Sequence, residues 1–495
     1  MQNFSYRWFM CDAEQTIGIF FRGNEELMTK KKERILFICY LLLFLGTAMV
    51  IALMQPHADT PPWYGNPPDE PFRYKVVQFI YKYGKLPNGY DPEIRIPGYG
   101  ISYGFYTLLP YIIQGFFLRF VSLFTKDALM LLYAARFVNI IFGVCMAVVV
   151  YFLAGRLFKD SRFKWLFCFA VMFLPQNLFL HTYVNTDSMS MLSTAIIMYA
   201  LVAAYQDSFT WKNSTILAIG ISICAQSYFN AYGFILCSIF LYVGFYIKKN
   251  AATGKIQIDW KEFWLKGGYI AGLVLLLAGW CFVRNAILYD GDFLGMESLK
   301  KCAALYGDPA VQPYDKTYSA RGLSVFTMLK EQGFFNGLYL SFIATYGSMA
   351  ITGNIWMYRF YKVFLAVGMI AFLLIRNKEE KKEIRGKRIF FRINMLLCIL
   401  IPLFLCIRYA YTMDYQHQGR YVMPALIPIM LWAVEGLRKL HSLSFLPAKW
   451  KKAEKMLKRT ADAALYLSMA VIILFLLHMV FFCAVPVYRA IGYVL

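Results

Sequence analysis

Residues 35–54 read Ile-Leu-Phe-Ile-Cys-Tyr-Leu-Leu-Leu-Phe-Leu-Gly-Thr-Ala-Met-Val-Ile-Ala-Leu-Met, an apolar run that contains no charged residue. A helix needs about 20 such residues to cross the roughly 30 Å hydrocarbon core of a bilayer. Similar runs recur along the 495-residue chain, of which 59% is hydrophobic and only 16% charged. These proportions exclude a soluble enzyme, a disordered protein and a secreted disulfide scaffold.

The apolar runs predict an all-α polytopic membrane protein with about 11 transmembrane helices, the N-terminus inside and the C-terminus outside. The predicted spans are 35–54, 131–154, 165–183, 188–205, 215–229, 231–247, 267–288, 360–376, 393–410, 421–437 and 463–485. Two further apolar stretches, 104–124 and 335–356, are expected to lie along the outer interface without crossing. This topology leaves 32 of the 51 lysines and arginines in inside segments and 14 in outside segments, as the positive-inside rule requires.

The expected organisation is a cytoplasmic segment (1–34), a transmembrane domain (35–485) and a short external tail (486–495). The net charge of +22 then faces the anionic lipids of the cytoplasmic leaflet, and nucleic-acid binding is not expected. Met28 is a candidate translation start, because Met-Thr-Lys-Lys-Lys-Glu-Arg directly precedes the first span.

Two outer loops, 55–130 and 289–356, carry most of the external polar residues, so any chemistry is expected at the outer membrane interface. In the first loop, Pro-Pro-Asp-Glu-Pro at 67–71 opens a predicted amphipathic helix that ends near Gly84. Apolar residues recur there at helical spacing, while cations such as Arg73 lie mostly elsewhere. The helix is expected to lie in the interface plane with Asp69 and Glu70 at headgroup level.

This arrangement resembles the glycosyltransferase C superfamily, which comprises polytopic transferases that use lipid-phosphate sugars, such as the protein O-mannosyltransferases, the lipid A aminoarabinose transferases and uncharacterised bacterial relatives. An acidic pair marks the first external loop of that family, where Asp69-Glu70 stands here. Three later motifs follow the family pattern in order and membrane side: Asn185-Thr186-Asp187, Arg284-Asn285 with Tyr289-Asp290-Gly291-Asp292, and Gln418-Gly419-Arg420-Tyr421. One motif departs, because the family's His-Pro-Pro-Leu-Tyr-Tyr is replaced at 95–106 by a sequence without histidine.

The resemblance implies transfer of a sugar from a polyprenyl-phosphate donor to a glycan, lipid or protein acceptor outside a bacterial plasma membrane. Asp69 is the expected base, with Glu70 orienting the acceptor or supporting Asp69, and the two carboxylates are expected to push their pKa values apart. Arginines at outer helix ends are the expected ligands of the donor phosphate: Arg136, Arg284 and Arg420. The substrate-binding candidates are Asn185, Asp187, Asn285, Asp292, His417, Gln418 and Tyr421.

Other interpretations stay open at this stage. Asp69 and Asp187 have a simpler explanation as helix caps, and each arginine as a side chain that reaches the outer headgroups. A secondary transporter or lipid flippase would carry acids at span centres and an internal repeat, and the sequence has neither. A non-catalytic scaffold of envelope assembly would leave Asp69 dispensable. No metal site of histidines and cysteines is predicted, although a divalent cation at Asp187 remains an alternative.

Overall fold

The computed structural model describes residues 30–57, 66–249, 256–312, 316–331, 333–375, 382–443 and 451–492, and helices dominate them. The candidate start at Met28 lies outside the described residues. The helices of the first half are α1 (Lys30–Met54), α2 (Glu70–Tyr83), α3 (Leu109–Val121), α4 (Ala128–Leu157), α5 (Ser161–Met172), α6 (Pro175–Leu180), α7 (Asp187–Asp207), α8 (Trp211–Ala225) and α9 (Gly233–Tyr246).

The second half continues in the same way. Its helices are α10 (Trp260–Leu288), α11 (Met296–Tyr306), α12 (Val325–Glu331), α13 (Phe334–Ile343), α14 (Ile355–Leu374), α15 (Lys382–Thr412), α16 (Leu426–His441), α17 (Lys451–His478) and α18 (Val485–Ile491). A 3-10 turn at Gly419–Ala425 leads into α16. Two small antiparallel hairpins pair β1 (Ile247–Lys249) with β2 (Ile256–Ile258), and β3 (Thr345–Tyr346) with β4 (Ile351–Thr352).

The all-α polytopic architecture is confirmed. Among the described residues, nine helical segments are long and apolar enough to cross a membrane, and they coincide with nine of the eleven predicted spans. The predicted span 165–183 is broken into α5 and α6 at Pro175, because proline has no N–H for the helical ladder. The predicted span 215–229 corresponds to α8, whose 15 residues extend about 22 Å. The number of crossings and the sides of the termini stay predictions.

The two stretches expected at the interface contain short helices. α3 has 13 residues and α13 has 10, which give lengths of about 20 Å and 15 Å, well under the thickness of the hydrocarbon core. α3 packs closely on α2, since a Cβ on Gly115 would lie 2.5 Å from Cγ2 of Ile80. These lengths agree with an interfacial position, which itself stays a prediction.

The centre of the bundle is formed by α7 and α16. The most apolar windows of their segments are 89% buried, compared with 22% for α10 at the periphery. Asp187 is the first residue of α7, and Arg420 lies in the turn that leads into α16. Both residues therefore lie beside the two helices that form the buried core.

Candidate active site

Helix α2 begins and ends where the sequence predicts. Pro71 lies in its first turn, and Gly84 ends it with a φ of 65° and an N–H that donates to the Ile80 carbonyl. Asp69 occupies the N-cap position with a φ of 62°, but its side chain makes no capping hydrogen bond. The left-handed backbone is one that Asp and Asn tolerate better than most residues. The carboxylate is thus available for contacts outside its own helix.

Asp69 pairs with two arginines. Its Oδ2 accepts a hydrogen bond from Nη2 of Arg420 at 2.8 Å and lies 3.8 Å from Nη2 of Arg73. Burial alone would raise the pKa of Asp69, but these two cations and a hydrogen bond from Tyr103 outweigh it and lower that pKa. About a third of the side chain remains exposed (32%). Asp69 is therefore an ionised carboxylate at neutral pH that a small molecule can reach.

Arg420 has unused donors. Its side chain is only 6% exposed, and Nη2 donates to Asp69 and, at 3.2 Å, to the hydroxyl of Tyr421. Within the described part of the chain, Nε and Nη1 are buried without a hydrogen-bond partner. Three of its five N–H groups are thus unpaired. They border a small cleft that Pro68, Tyr183 and Gln418 also line.

Arg73 is a site residue that the sequence analysis missed. It is only 3% exposed, although the helical pattern placed the cations of α2 mostly away from its apolar face. Its Nη1 donates to Tyr111 at 3.0 Å and to Thr186 at 3.1 Å, and its guanidinium lies 4.2 Å from the ring centroid of Tyr103. The i,i+4 spacing from Asp69 was the available signal, since such residues are neighbours on a helix.

Glu70 points in the opposite direction from Asp69 and is fully buried with Arg136. Its oxygens accept hydrogen bonds from Nε and Nη2 of Arg136 at 2.9 and 2.5 Å, from the Val184 amide at 2.8 Å and from His57 at 3.3 Å. Arg136 also donates to the carbonyls of Ala52, Gln55 and Pro56. These five hydrogen bonds engage all five donors of the guanidinium, and they tie the start of α2 to the end of α1.

The expectation that the two carboxylates push their pKa values apart is wrong. Burial raises both, but Arg136 and His57 lower the pKa of Glu70 to about 2, and Arg420 and Arg73 lower that of Asp69. Each carboxylate has its own cations, so opposite-charge pairing exceeds the repulsion between neighbours.

The start of α7 contributes one more carboxylate. Asn185 links α6 to the start of α7: its Oδ1 accepts a hydrogen bond from the Ser188 amide, and its Nδ2 donates to the Leu180 carbonyl. Asp187 is 3% exposed, and its Oδ2 makes no hydrogen bond to the described residues. The charges of Arg420 and Arg73 both act on this carboxylate. Asp187 therefore belongs to the same charged cluster as Asp69.

Arg284 lies elsewhere. Its Nη2 donates to the Pro87 carbonyl at 2.6 Å, beyond the far end of α2, which is about 21 Å long. Asn285 donates to the Phe293 carbonyl, and Asp292 accepts from the Ser298 amide at the start of α11. Arg284 joins the two outer loops, Asn285 and Asp292 bond within the second, and the structure does not bring these three candidates to Asp69.

The segment before α16 supplies a hydrogen-bonded chain beside Arg420. The hydroxyl of Tyr421 donates to Gln416 at 2.5 Å, and Gln416 donates to Asp414 at 2.5 Å. Burial, together with the charge of Asp69, raises the pKa of Asp414. His417 is partly buried, which lowers its pKa. Tyr421 bonds to Arg420 and Gln418 lines the same cleft, whereas the ring of His417 lies 5.5 Å from that of Tyr415.

The segment 95–106, which lacks the family's histidine, places an aromatic residue at the site. Tyr103 bonds to Asp69 and lies over Arg73. Burial and the charge of Asp69 raise the pKa of Tyr103 well above its usual range, so it stays a neutral donor. Among the described residues, no three or more His, Cys, Asp and Glu side chains group as metal ligands.

The helical fold is similar to that of proteins whose structures are solved. ArnT from Cupriavidus metallidurans, solved bound to undecaprenyl phosphate, matches with a TM-score of 0.51 and 10% identity over 93% of this chain and 77% of that one. The oligosaccharyltransferase of Archaeoglobus fulgidus matches with a TM-score of 0.46 and 14% identity over 92% of this chain. The chain spans about half the length of the archaeal enzyme (55%).

The chain belongs to the family described as predicted membrane protein (DUF2142), whose model matches residues 95–430. That match includes Asp187 and Arg420 and begins after Asp69 and Arg73. No curated protein matches the chain.

Proposed function

We propose that this protein is a membrane glycosyltransferase that moves a sugar from a polyprenyl phosphate to an acceptor at the membrane face where Asp69 lies. The observation that carries the proposal is the pairing of an accessible, ionised Asp69 with an arginine that keeps three donors unpaired beside a cleft. The shared fold with ArnT, solved with undecaprenyl phosphate, supports a lipid phosphate as the carrier.

Asp69 is the proposed base. The acceptor hydroxyl gives its proton to the Asp69 carboxylate while its oxygen forms a bond to the anomeric carbon of the donor sugar. A base must be ionised and within hydrogen-bond reach of the proton that it takes, and the lowered pKa of Asp69 satisfies the first condition. The same low pKa makes Asp69 a weak base, so we expect that its ion pair loosens when the donor phosphate competes for Arg420.

Arg420 is the proposed ligand of the leaving phosphate. The bond between the anomeric carbon and the phosphate oxygen breaks, and its electron pair leaves with the phosphate. The unpaired Nε and Nη1 of Arg420 can donate to that oxyanion, and charge-assisted hydrogen bonds of this kind are about twice as strong as neutral ones. Arg73, whose Nη1 is already engaged, is assigned to positioning Asp69.

The remaining candidates divide by location. Gln418 and Tyr421 are assigned to the donor because they adjoin Arg420, and His417 is assigned to it through the same sequence motif. Asp187 is assigned to a hydroxyl of the sugar or acceptor because its Oδ2 is unpaired among the described residues. Glu70 and Arg136 are assigned to holding α2 in place, since their contacts are with each other and with the backbone. Arg284 is assigned to joining the outer loops, and Asn285 and Asp292 to holding the second loop in shape.

Transfer of labelled sugar in proteoliposomes, from a set of polyprenyl-phosphate sugars to added acceptors, tests this proposal. Asp69→Asn should abolish transfer and leave donor binding intact, because it removes the base and keeps the shape. Asp290→Asn is the matched control: Asp290 is exposed and also has a positive φ (49°), which Asn tolerates equally. Full transfer activity of Asp69→Asn would overturn the assignment of Asp69 as the base, and no transfer by the wild-type protein from any of the donors would favour a scaffold.

A further inference from the structure

A second cleft lies at the other end of the bundle. Its walls include Phe372 of α14, Arg392 of α15 and Trp432 and Glu435 of α16. Trp432 and Glu435 lie six and nine residues beyond the start of α16, about 9 and 14 Å along its axis, and the turn that carries Arg420 precedes that start. The second cleft takes no part in the proposed transfer.

Arg392 lines this second cleft, and three further cations lie near Arg392 or Glu435. Arg388 and Lys439 are 6% and 2% exposed, and Arg392 and Arg438 complete the set. Glu435 is the carboxylate paired with them: its two oxygens accept from Nε and Nη2 of Arg438 at 2.7 Å each. Lys439 donates to the carbonyls of Phe372 and Ile375 at the end of α14. Among the described residues that line the cleft, Arg392 is the cation and Glu435 the carboxylate.

Arg392 is the cation that borders the cleft itself. Its guanidinium lies 4.8 Å from the ring centroid of Phe372, and its Nε is buried without a hydrogen-bond partner among the described residues. Leaving a buried charged donor unpaired is costly. An anion in the cleft would supply the missing acceptor for Nε of Arg392.

We propose that this cleft binds the phosphate of an anionic membrane lipid, with Nε of Arg392 donating to a phosphate oxygen. Its walls carry the aromatic rings of Phe372 and Trp432, which stack at 4.9 Å. Ile393 and Leu373, which adjoin it on α15 and α14, are 45% and 66% exposed, so acyl chains can lie along them. Basic pockets between membrane helices bind lipid headgroups on the cytoplasmic side, where the sequence predicts both contributing segments.

The test uses the full chain in a neutral detergent. Dioctanoyl phosphatidylglycerol is titrated while the thermal unfolding midpoint is recorded, with dioctanoyl phosphatidylcholine and inorganic phosphate as parallel probes. We expect a saturable rise with phosphatidylglycerol, little change with phosphatidylcholine, and at least tenfold weaker binding in Arg392→Gln. Arg408→Gln is the matched control, because Arg408 is an exposed arginine at the other end of α15.

Three results would overturn the proposal. An equal rise with inorganic phosphate at the same concentration would assign the site to a soluble anion. Equal titrations of Arg392→Gln and Arg408→Gln would remove Arg392 from the site. If Arg392→Gln does not fold, native mass spectra of the wild-type protein in an equimolar mixture of the two lipids decide. Retention of phosphatidylglycerol over phosphatidylcholine supports the lipid site, and equal retention refutes it.

Discussion

Arg420 contacts both Asp69 and the cleft beside it. Its Nη2 donates to Asp69, while its Nε and Nη1 have no hydrogen-bond partner among the described residues. We expect Arg420→Gln to raise the KM for the donor by about tenfold or more, the usual effect of losing a charged hydrogen bond. Arg420→Lys should restore part of the affinity, because lysine supplies the positive charge but lacks the planar guanidinium. Donor titrations in proteoliposomes measure both, and an unchanged KM in Arg420→Gln would contradict this role.

Arg420→Gln should also change how the transfer rate depends on pH. Arg420 lowers the pKa of Asp69, so the wild-type protein keeps its base ionised below the usual range of aspartate. Removing the cation raises that pKa, and the acid limb of the rate profile should move to higher pH. If Arg420 had only a structural role, Arg420→Gln would lower the transfer rate at every pH without moving the acid limb of the profile.

Glu70 offers a contrasting prediction on stability. Its pKa falls from 4.5 to about 2 in the folded protein, so its stabilisation is fully present above about pH 4.5 and is lost as the pH falls through 2. Glu70→Gln leaves Arg136 buried without its carboxylate, which we expect to cost about 3 kcal/mol near neutral pH. Glu93→Gln is the control, because its pair with Lys82 is exposed and such pairs contribute little.

Thermal unfolding in detergent at pH 7 and at pH 3 measures this effect. The difference between wild type and Glu70→Gln should shrink at the lower pH, as the wild-type carboxylate approaches protonation. Equal losses for Glu70→Gln and Glu93→Gln at pH 7 would contradict the assignment of Glu70 to holding α2.

At the scale of the element, the bounds of α2 could be predicted and its burial could not. Proline, aspartate and glycine at its ends are local signals, and the helix begins and ends where they stand. Arg73 is buried because Tyr111 and Thr186, from distant segments, accept its hydrogen bonds. A pattern read along one helix cannot include such partners, so Arg73 was assigned to the polar face.

The contact between α2 and α3 is close enough to test. A Cβ at position 115 would lie 2.5 Å from Cγ2 of Ile80, so Gly115→Ala must displace α2, which carries Arg73 and begins just after Asp69. We expect a lower unfolding midpoint together with a lower transfer rate. Gly46→Ala is the control, since no atom lies within 4 Å of that position. Adding Ile80→Ala should recover part of the loss, and no recovery would contradict the contact.

At the scale of the whole molecule, long apolar runs predicted nine of the spans, and the deviations have local causes. Pro175 breaks one predicted span, and α8 ends after 15 residues. The pairing of Asp69 with Arg420, 351 residues apart, could be anticipated because both motifs were placed at outer helix ends. The position of Arg284 could not, since its partner is the backbone carbonyl of Pro87.

The most direct measurement is a structure of the full chain with undecaprenyl phosphate bound in a lipid nanodisc. The account predicts a phosphate oxygen within about 3.5 Å of Nε or Nη1 of Arg420, with the Asp69 carboxylate facing the space that a sugar would occupy. A phosphate held by Arg136 or Arg284, with Arg420 still unoccupied, would contradict it.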